Sequence, residues 1–516
     1  MPRTGRRSFL RGLGALAVPI LAACAGGAAP TAAPTAPPAK PTEAPKPAAT
    51  AAPAATAAPA TAATAAPAAA TKPAATGAAS PAAGATTAAG AAATKPAASA
   101  TGAAAPAAAP VQAKPGTELK IIQWSHFVPA YDEWFNKQYV VQWGQANNVK
   151  VTVDNVNQAD HPARSAAEVA AKQGHDIFDW FAVLYAHVYK DALADVSDIA
   201  EPIGKQAGGW IPFAEQIGKV DGKWYGVPDF MVPFSGHYRS DVFKKAGLDR
   251  APDKWQDLLD YGPKCKANGN PVGTSLAQNS DAEMTWRSLL WSYGANEVKE
   301  DGKTSTLDSK ETRDALDYAK KLYETAMTNE VLSWDDAANN QYMQSGKGSW
   351  IYNPISVYRT IEQQNPELFK NVEAGLPLAG PAGRWMSPQF NLIGIWNFGK
   401  NIDTAKAFVW DLKVNKWSEA HAASKAYDFP MENAHWNKPM PIIGNDPKLQ
   451  QLQDIGKTAR WIGSPGPVTV AAAEVLDSHV ITNMFAKYAT GQGSLDDAVK
   501  EAVGLQQQIY KKRGLA

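Results

Sequence analysis

From Leu119 onward the apolar and polar positions alternate between a period of two and a period near 3.6. Leu119-Lys120-Ile121-Ile122-Gln123-Trp124 reads as a strand, and the aromatic-rich stretch from Tyr131 to Trp143 reads as a helix. Val149-Lys150-Val151-Thr152-Val153 predicts a second strand, Ala163 to Gln173 a helix, and Asp176 to Phe181 a buried third strand. Such βαβ succession predicts an α/β lobe with a mainly parallel sheet, whose ligands bind beyond the carboxyl ends of its strands. Further on, Asp308-Ser309-Lys310-Glu311 has capping-box spacing, and Ala315, Leu316, Ala319, Leu322, Tyr323 and Met327 form an apolar helical face behind it. Ala405 to Leu412 predicts an apolar helix. Leu495, Ala498, Val499, Ala502, Val503 and Leu505 predict an amphipathic one near the end, and no repeat of fixed period runs through the chain.

The chain ahead of this body has no such pattern. Residues 25–115 are almost entirely Ala, Pro, Thr and a few Gly, without Trp, Tyr, Phe, Leu or Ile. Prolines prevent a continuous helix and nothing large and apolar offsets the entropy of ordering, so this is expected to be a disordered tether. It would reach roughly 50 Å as a flexible coil and at most ~280 Å as extended polyproline II. In residues 1–24, Arg3, Arg6, Arg7 and Arg11 precede the apolar stretch Leu13 to Leu21, which is the layout of an export signal. Arg6-Arg7-Ser8-Phe9-Leu10-Arg11 resembles a bacterial twin-arginine signal, with an ordinary signal and a chance Arg pair as the alternative. Leu21-Ala22-Ala23-Cys24 resembles a lipobox, which implies lipidation of Cys24 and anchoring to the outer face of the cytoplasmic membrane. The alternative there is an unmodified cleavage site.

Charge and cysteine content narrow the function of the body. The whole chain is nearly neutral, with 50 Lys+Arg and 49 Asp+Glu, but residues 116–516 hold 41 basic and 48 acidic side chains. A mildly acidic body excludes nucleic acid as the default partner. Cys265 is the only cysteine of the body, so no disulfide framework exists there. No apolar run in 116–516 approaches the ~18–20 residues of a membrane span. The body also lacks Gly-x-Ser-x-Gly, His-Glu-x-x-His, P-loop and paired Cys-x-x-Cys motifs, so no catalytic residue, metal site or cofactor is assigned. Cys265, in a Pro-Lys-Cys-Lys-Ala context, is expected to be a structural or partly exposed thiol.

Three blocks carry a family resemblance: Val220-Asp221-Gly222-Lys223-Trp224-Tyr225-Gly226-Val227-Pro228, then Asp241 to Leu248, then Pro252 to Leu259. In order and spacing they resemble family 1 extracellular solute-binding proteins, the receptors of bacterial ABC importers, including sugar-binding ones. Gln344 to Trp350, the Ile393-Gly394-Ile395 strand leading to Lys400, and Ala489 to Ala498 fit as well. The resemblance implies a periplasmic-binding-protein-like α/β fold of type II character, with two lobes, a hinge and an interlobe cleft. It places one crossing near Val227–Phe234 and the next near Ser387–Ile395. Lobe one would hold about 117–230 and 396–445, and lobe two about 235–390 and 446–516. It further implies a monomer that delivers its solute to ABC permease subunits. Two departures stand out: Arg239 where the family often has Asn, and Gly262-Pro263, which is expected to interrupt and shorten the helix that continues from Leu259.

All 17 Trp lie in the body, with its 16 Tyr and 14 of the 15 Phe. Aromatic faces suit sugar CH groups, while Asp, Glu, Asn, Gln and His bond hydroxyls. Positions beyond strand ends are therefore the candidate ligand contacts. These are Trp124, Ser125 and His126 after the first strand, Asp179, Trp180 and Tyr185 around the third, and Phe230 and Met231 on the first crossing. In lobe two they are Asn353 and Ser356 after the strand ending near Tyr352, and the family resemblance adds Asp281, Glu283 and Trp286, which fall where similar proteins place ligand-facing groups at the start of a helix. Gln389, Phe390 and Asn391 on the second crossing and Asp428 on a returning loop complete the set. The alternatives are packing for the rings and surface solvation for the polar groups. His126 with Asp179 or Glu283 would suit a general base and acid, so a secreted carbohydrate-active enzyme is the rival from another class. Within the binding class, a polyol, peptide or amine competes with a sugar or oligosaccharide.

Overall fold

The computed structural model describes residues 109–181, 184–436 and 440–515. The export signal, Cys24 and the tether up to residue 108 lie outside the described residues. Ten strands build the two principal sheets: β1 (Glu118–Trp124), β2 (Lys150–Val156), β3 (Ile177–Phe181), β4 (Val227–Val232), β5 (Ser235–Arg239), β6 (Val272–Gly273), β7 (Trp350–Asn353), β8 (Val372–Ala374), β9 (Gln389–Ile395) and β10 (Phe429–Pro430).

The first sheet has the order β10-β4-β9-β3-β1-β2. β1 runs parallel to both β2 and β3, whereas β9 runs antiparallel to β3 and β4. Position in the sheet explains composition. The inner strands β4 and β9 are buried at every residue, while the edge strand β2 alternates exposed and half-buried positions. Pro228 sits in an inner strand, where its missing N–H would break a regular ladder. The register shift between Phe390 and Leu392, opposite it, accommodates this. The second sheet has the order β8-β5-β7-β6, with β6 and β7 parallel and the other pairs antiparallel.

Only Pro233 and Phe234 separate β4 of the first sheet from β5 of the second. The chain returns through Ser387-Pro388 into β9, and β10 pairs with β4 before the chain reaches Asp446, whose carboxylate receives the Tyr358 hydroxyl at 3.0 Å. Three connecting segments therefore lie side by side at one edge of the first sheet.

Two local expectations are corrected. The helix Trp255–Ala267 runs straight through Gly262-Pro263. A Cβ on Gly262 would come within 2.8 Å of the Ala326 Cβ, so the helix packs closely against its neighbour, Lys310–Ala326, at this glycine. Burial of Trp255, Leu258 and Cys265 outweighs the ~3 kcal/mol that an interior proline costs. The second correction concerns the cap of helix Lys310–Ala326. Ser309 accepts from the Thr312 N–H, while Asp308 pairs with Arg313. Arg239 lies at the lobe surface, bound bidentately to Asp241 and to the Gly346 carbonyl. Cys265 is fully buried, and burial pushes its thiol up to about 11. Much of the aromatic content is core: Trp224, Trp255, Trp286, Trp291, Trp350 and Trp396 are each at most 1% exposed.

Candidate functional site

At the carboxyl end of β1, the ladder with β2 extends one residue further, through the Ser125 N–H to the Val156 carbonyl at 2.7 Å. The chain then turns, and His126 is fixed on every side. Its Nδ1 accepts the Val128 N–H at 2.8 Å, so the ring proton sits on Nε2, which donates to Asp428 Oδ1 at 3.2 Å. Its ring stacks on Tyr131 with centroids 4.5 Å apart and meets the Tyr427 ring edge-on at 5.0 Å. Trp124 and Phe230 close the same aromatic group, 6.5 Å from each other.

Around these rings a helix, Pro129–Trp134, and the strands of the first lobe deliver carboxylates. Asp132 accepts the His126 backbone N–H at 3.0 Å. Asp229 holds Lys413 Nζ at 3.0 Å, and Lys413 reaches Glu432 at 3.2 Å, all three groups being buried. Asp179, 9% exposed on β3, has an Oδ1 without a hydrogen-bond partner. Burial and then the charge of Asp229 push its carboxyl well above the usual range, against a weaker pull from the nearby Asn391 amide. Burial likewise raises Asp132 and Asp229, in the latter case despite Lys413.

In the second lobe, Asp281 begins the helix Ser280–Ser292, capped by Asn279. Its carboxylate takes the Asn339 amide at 2.5 Å, which also reaches Asn353 at 2.7 Å. Asn353 continues the chain to Ser356 at 3.3 Å. Burial and the neighbouring Asp336 raise the Asp281 carboxyl strongly. The buried Tyr427 hydroxyl has no hydrogen-bond partner and feels the charges of Asp281, Asp428 and Asp336, so it stands where the two lobes meet.

The lobes touch directly. Gln158 donates to Ser280 at 3.2 Å, Arg359 to the Lys425 carbonyl at 3.0 Å, and the Val468 N–H to Gln216 at 3.3 Å. Phe213 and Trp461 stack with their planes 7° apart. Together with Met231 and Trp436 these rings line an interlobe groove of about 400 Å³.

Of the sequence-predicted positions, Trp124, His126, Asp179, Phe230, Asn391 and Asp428 come together at the strand ends of the first lobe. Asp281, Asn353 and Ser356 form one chain on the second. Met231 lines the groove with Phe213, whereas Phe390 meets Phe213 edge-on at 5.2 Å and lines a second, smaller pocket with Gln389. Tyr185 stacks on Tyr189 with centroids 5.4 Å apart, and the Trp180 side chain lies outside the described residues. Glu283 and Trp286 are committed inside their lobe. Glu283 pairs with the buried Arg287 at 2.8 Å, and Trp286 bonds the Ser275 carbonyl at 2.7 Å while stacking on Phe485. Sequence reasoning missed Asp132, Asp229, Asn339, Asp336 and Tyr427. Asp229 carried a signal, as a charge inside the apolar run Val227–Val232; Tyr427 was marked only by standing beside Asp428.

Residues 124–417 match the family described as bacterial extracellular solute-binding protein. The chain belongs to this family. A curated relative, a putative binding protein of Brucella abortus, is 25% identical over 298 residues, which is 57% of this chain and 69% of the relative. Among solved structures, maltose-bound MalE3 of T. maritima superposes with a TM-score of 0.67 at 19% identity, covering 76% of this chain and 100% of its own. The GacH receptor of Streptomyces glaucescens, solved unliganded and with acarbose, gives 0.66 at 17% identity, covering 77% and 99%. These likenesses establish the periplasmic-binding-protein-like fold, two α/β lobes around a cleft. Among the described residues no helix is long and apolar enough to cross a membrane.

Proposed function

We propose that this member of the family is a membrane-anchored receptor that captures a small polar solute, a sugar or oligosaccharide, and hands it to an ABC permease without chemical change. The observation that carries the reading is Asp179, a buried carboxylate with an unpartnered oxygen that feels the charge of Asp428, whose partner His126 packs in the ring group of Trp124, Phe230 and Tyr427. A hydroxyl would satisfy that oxygen while the rings cover apolar sugar faces. The family match and fold neighbours that bind maltose and acarbose support the solute class. In this reading lobe one holds about 117–230 and 396–445, and lobe two about 235–390 and 446–516. Trp124, Ser125, Asp179, Phe230, Asn391, Asp281, Asn353, Ser356 and Asp428 contact the solute, with Trp180, Tyr185, Met231, Gln389 and Phe390 around them. His126, locked on both ring nitrogens, positions Asp428 rather than acting as a base. Glu283 and Trp286 shape the helix that carries Asp281.

Cys24 would bear the lipid, the twin-arginine leader would direct export of the folded body, and residues 25–115 would give the body reach above the membrane. A panel of sugars, polyols, peptides and amines, read by thermal shift and calorimetry on the full chain, tests the receptor reading. Saturable binding with an upward shift, and recovery of the solute unchanged, is expected. A flat response to the whole panel refutes it, and hydrolysed solute would favour an enzyme. Lipidation is tested separately by Cys24→Ser, which should abolish labelling by a fatty-acid probe.

A further inference from the structure

Charge at the proposed solute site is lopsided. The first lobe gathers Asp179 on β3, Asp229 on β4, Asp428 just ahead of β10 and Asp132 on the helix Pro129–Trp134, and the second lobe adds Asp281 and Asp336. Lys413, a cation that meets this group, is already shared between Asp229 and Glu432, and His126, whose Nδ1 accepts the Val128 N–H, donates to Asp428 through Nε2. Arg287, further along the Asp281 helix, is held between Glu283 and Glu297 at 2.8 and 2.7 Å. Asp179 faces the group with one oxygen unpartnered, and Tyr427, 1% exposed, presents an unpartnered hydroxyl between Asp428 and Asp281.

A neutral hydroxylated solute satisfies hydrogen bonds but leaves these buried carboxyls either to keep a costly charge or to take up protons, the direction in which burial pushes them. An anion would meet repulsion. A metal ion would need converging ligands, and among the described residues no group of three His, Cys, Asp or Glu side chains could hold one. An organic ammonium fits, because it brings positive charge together with donors for acceptor-only carboxylates. Trp124, Phe230 and Tyr427 meanwhile supply ring faces for a cation or for sugar CH groups.

We propose that the solute is an amino sugar, a hydroxylated ring bearing a protonated amine, with the ammonium seated at the Asp179 carboxylate. This rests on the solute-receptor reading above and specifies the chemistry of that same site.

The test is pairwise binding by calorimetry to the full chain at pH 7. Glucosamine, galactosamine and a glucosamine disaccharide are compared with glucose, galactose, cellobiose and N-acetylglucosamine, and spermidine serves as an amine without a ring. At least one amino sugar is expected to bind 30-fold or more tightly than its neutral counterpart. Asp179→Asn should bring that ratio within about fivefold by weakening the amino sugar far more than its neutral counterpart. If neutral sugars bind as tightly as their amines, the ammonium assignment falls and the receptor reading stands. Tight binding of spermidine with none of the amino sugars also overturns it. Should nothing in the wider panel bind, the receptor reading itself fails. The ratio in the unaltered chain decides the matter even where Asp179→Asn does not fold.

Discussion

Lys413 is the structural counterweight of the acidic site, and Lys413→Met tests how much of the fold depends on it. Its ammonium, buried with Asp229 and Glu432, lies 3.0 and 3.2 Å from their carboxylates. Breaking a buried pair by removing one partner strands the other charge and costs about 3–5 kcal/mol. With an unfolding entropy of ~2.1 cal/mol/K per residue over roughly 400 residues, the melting temperature should fall by about 4–6 °C. The loss should depend on pH in a definite sense. Burial would raise the Glu432 carboxyl, but Lys413 together with His435 outweighs it and holds the group below its usual range. In the parent, that depressed group adds stability above its unfolded value, which is lost as pH falls through the folded value. Without Lys413, burial dominates and both carboxyls take up protons on folding, so the deficit shrinks from pH 7.5 to pH 5. Denaturant unfolding at the two pH values reads both quantities. Adding Asp229→Asn and Glu432→Gln should recover most of the loss. A deficit below about 1 kcal/mol, or one equal at both pH values, would refute the reasoning.

Three further outcomes follow from single groups. Burial holds His161 down to about 4 against a small opposing pull from the Gln123 backbone, so the unfolded chain takes up this proton below pH 6.5 and the folded one does not until about 4. About 3 kcal/mol of stability should be lost across that window; His161→Phe, which keeps a ring against Phe178, should remove this part of the acid sensitivity in urea titrations. Trp461→Ala removes the interlobe stack on Phe213. A stack worth ~0.5–1.5 kcal/mol predicts affinity weakened by about 2- to 12-fold and a larger radius of gyration by X-ray scattering, and an unchanged radius would argue against the latch. Cys265, fully buried with its thiol raised to about 11, should react with a thiol reagent only at the rate of unfolding; prompt modification of the native protein would contradict its placement.

The order of elements was legible because each strand carried its environment in its composition. β1 and β9 are apolar because neighbours flank them on both sides, and β2 alternates because it is an edge. The helix through Pro263 was not legible, since its continuity depends on Gly262 meeting Ala326, a contact 64 residues distant. At the site, strand ends pointed to Trp124 and Asp179, while the family resemblance pointed to Asp281 and equally to Glu283 and Trp286. On helix Ser280–Ser292 every residue from Asp281 to Ser292 is buried, so burial does not separate the cleft-facing side from the core side. Only the partners do, Arg287 for Glu283 and Phe485 for Trp286. Asp229 and Tyr427 depended on long-range packing that brings β10 and its loop against β4.

The arrangement of charge also bears on how such a receptor would switch. With the lobes touching through Gln158–Ser280, Arg359–Lys425 and Phe213–Trp461, Asp179 and Asp281 are desolvated, and their strongly raised carboxyls record the cost of keeping charge there. Opening the cleft would rehydrate these groups and relieve that cost, so in the proposed receptor the carboxylates that would hold the solute would also drive the empty protein toward the open state. A cationic solute reverses the balance only when it contacts both lobes, which is the differential affinity that a population shift requires. A neutral solute would have to close the cleft through hydrogen bonds and ring contacts alone, against the standing penalty. Selectivity for charge and control of closure would then be one property of one acidic cluster, and Asp179→Asn should both weaken discrimination and raise the closed fraction of the empty protein.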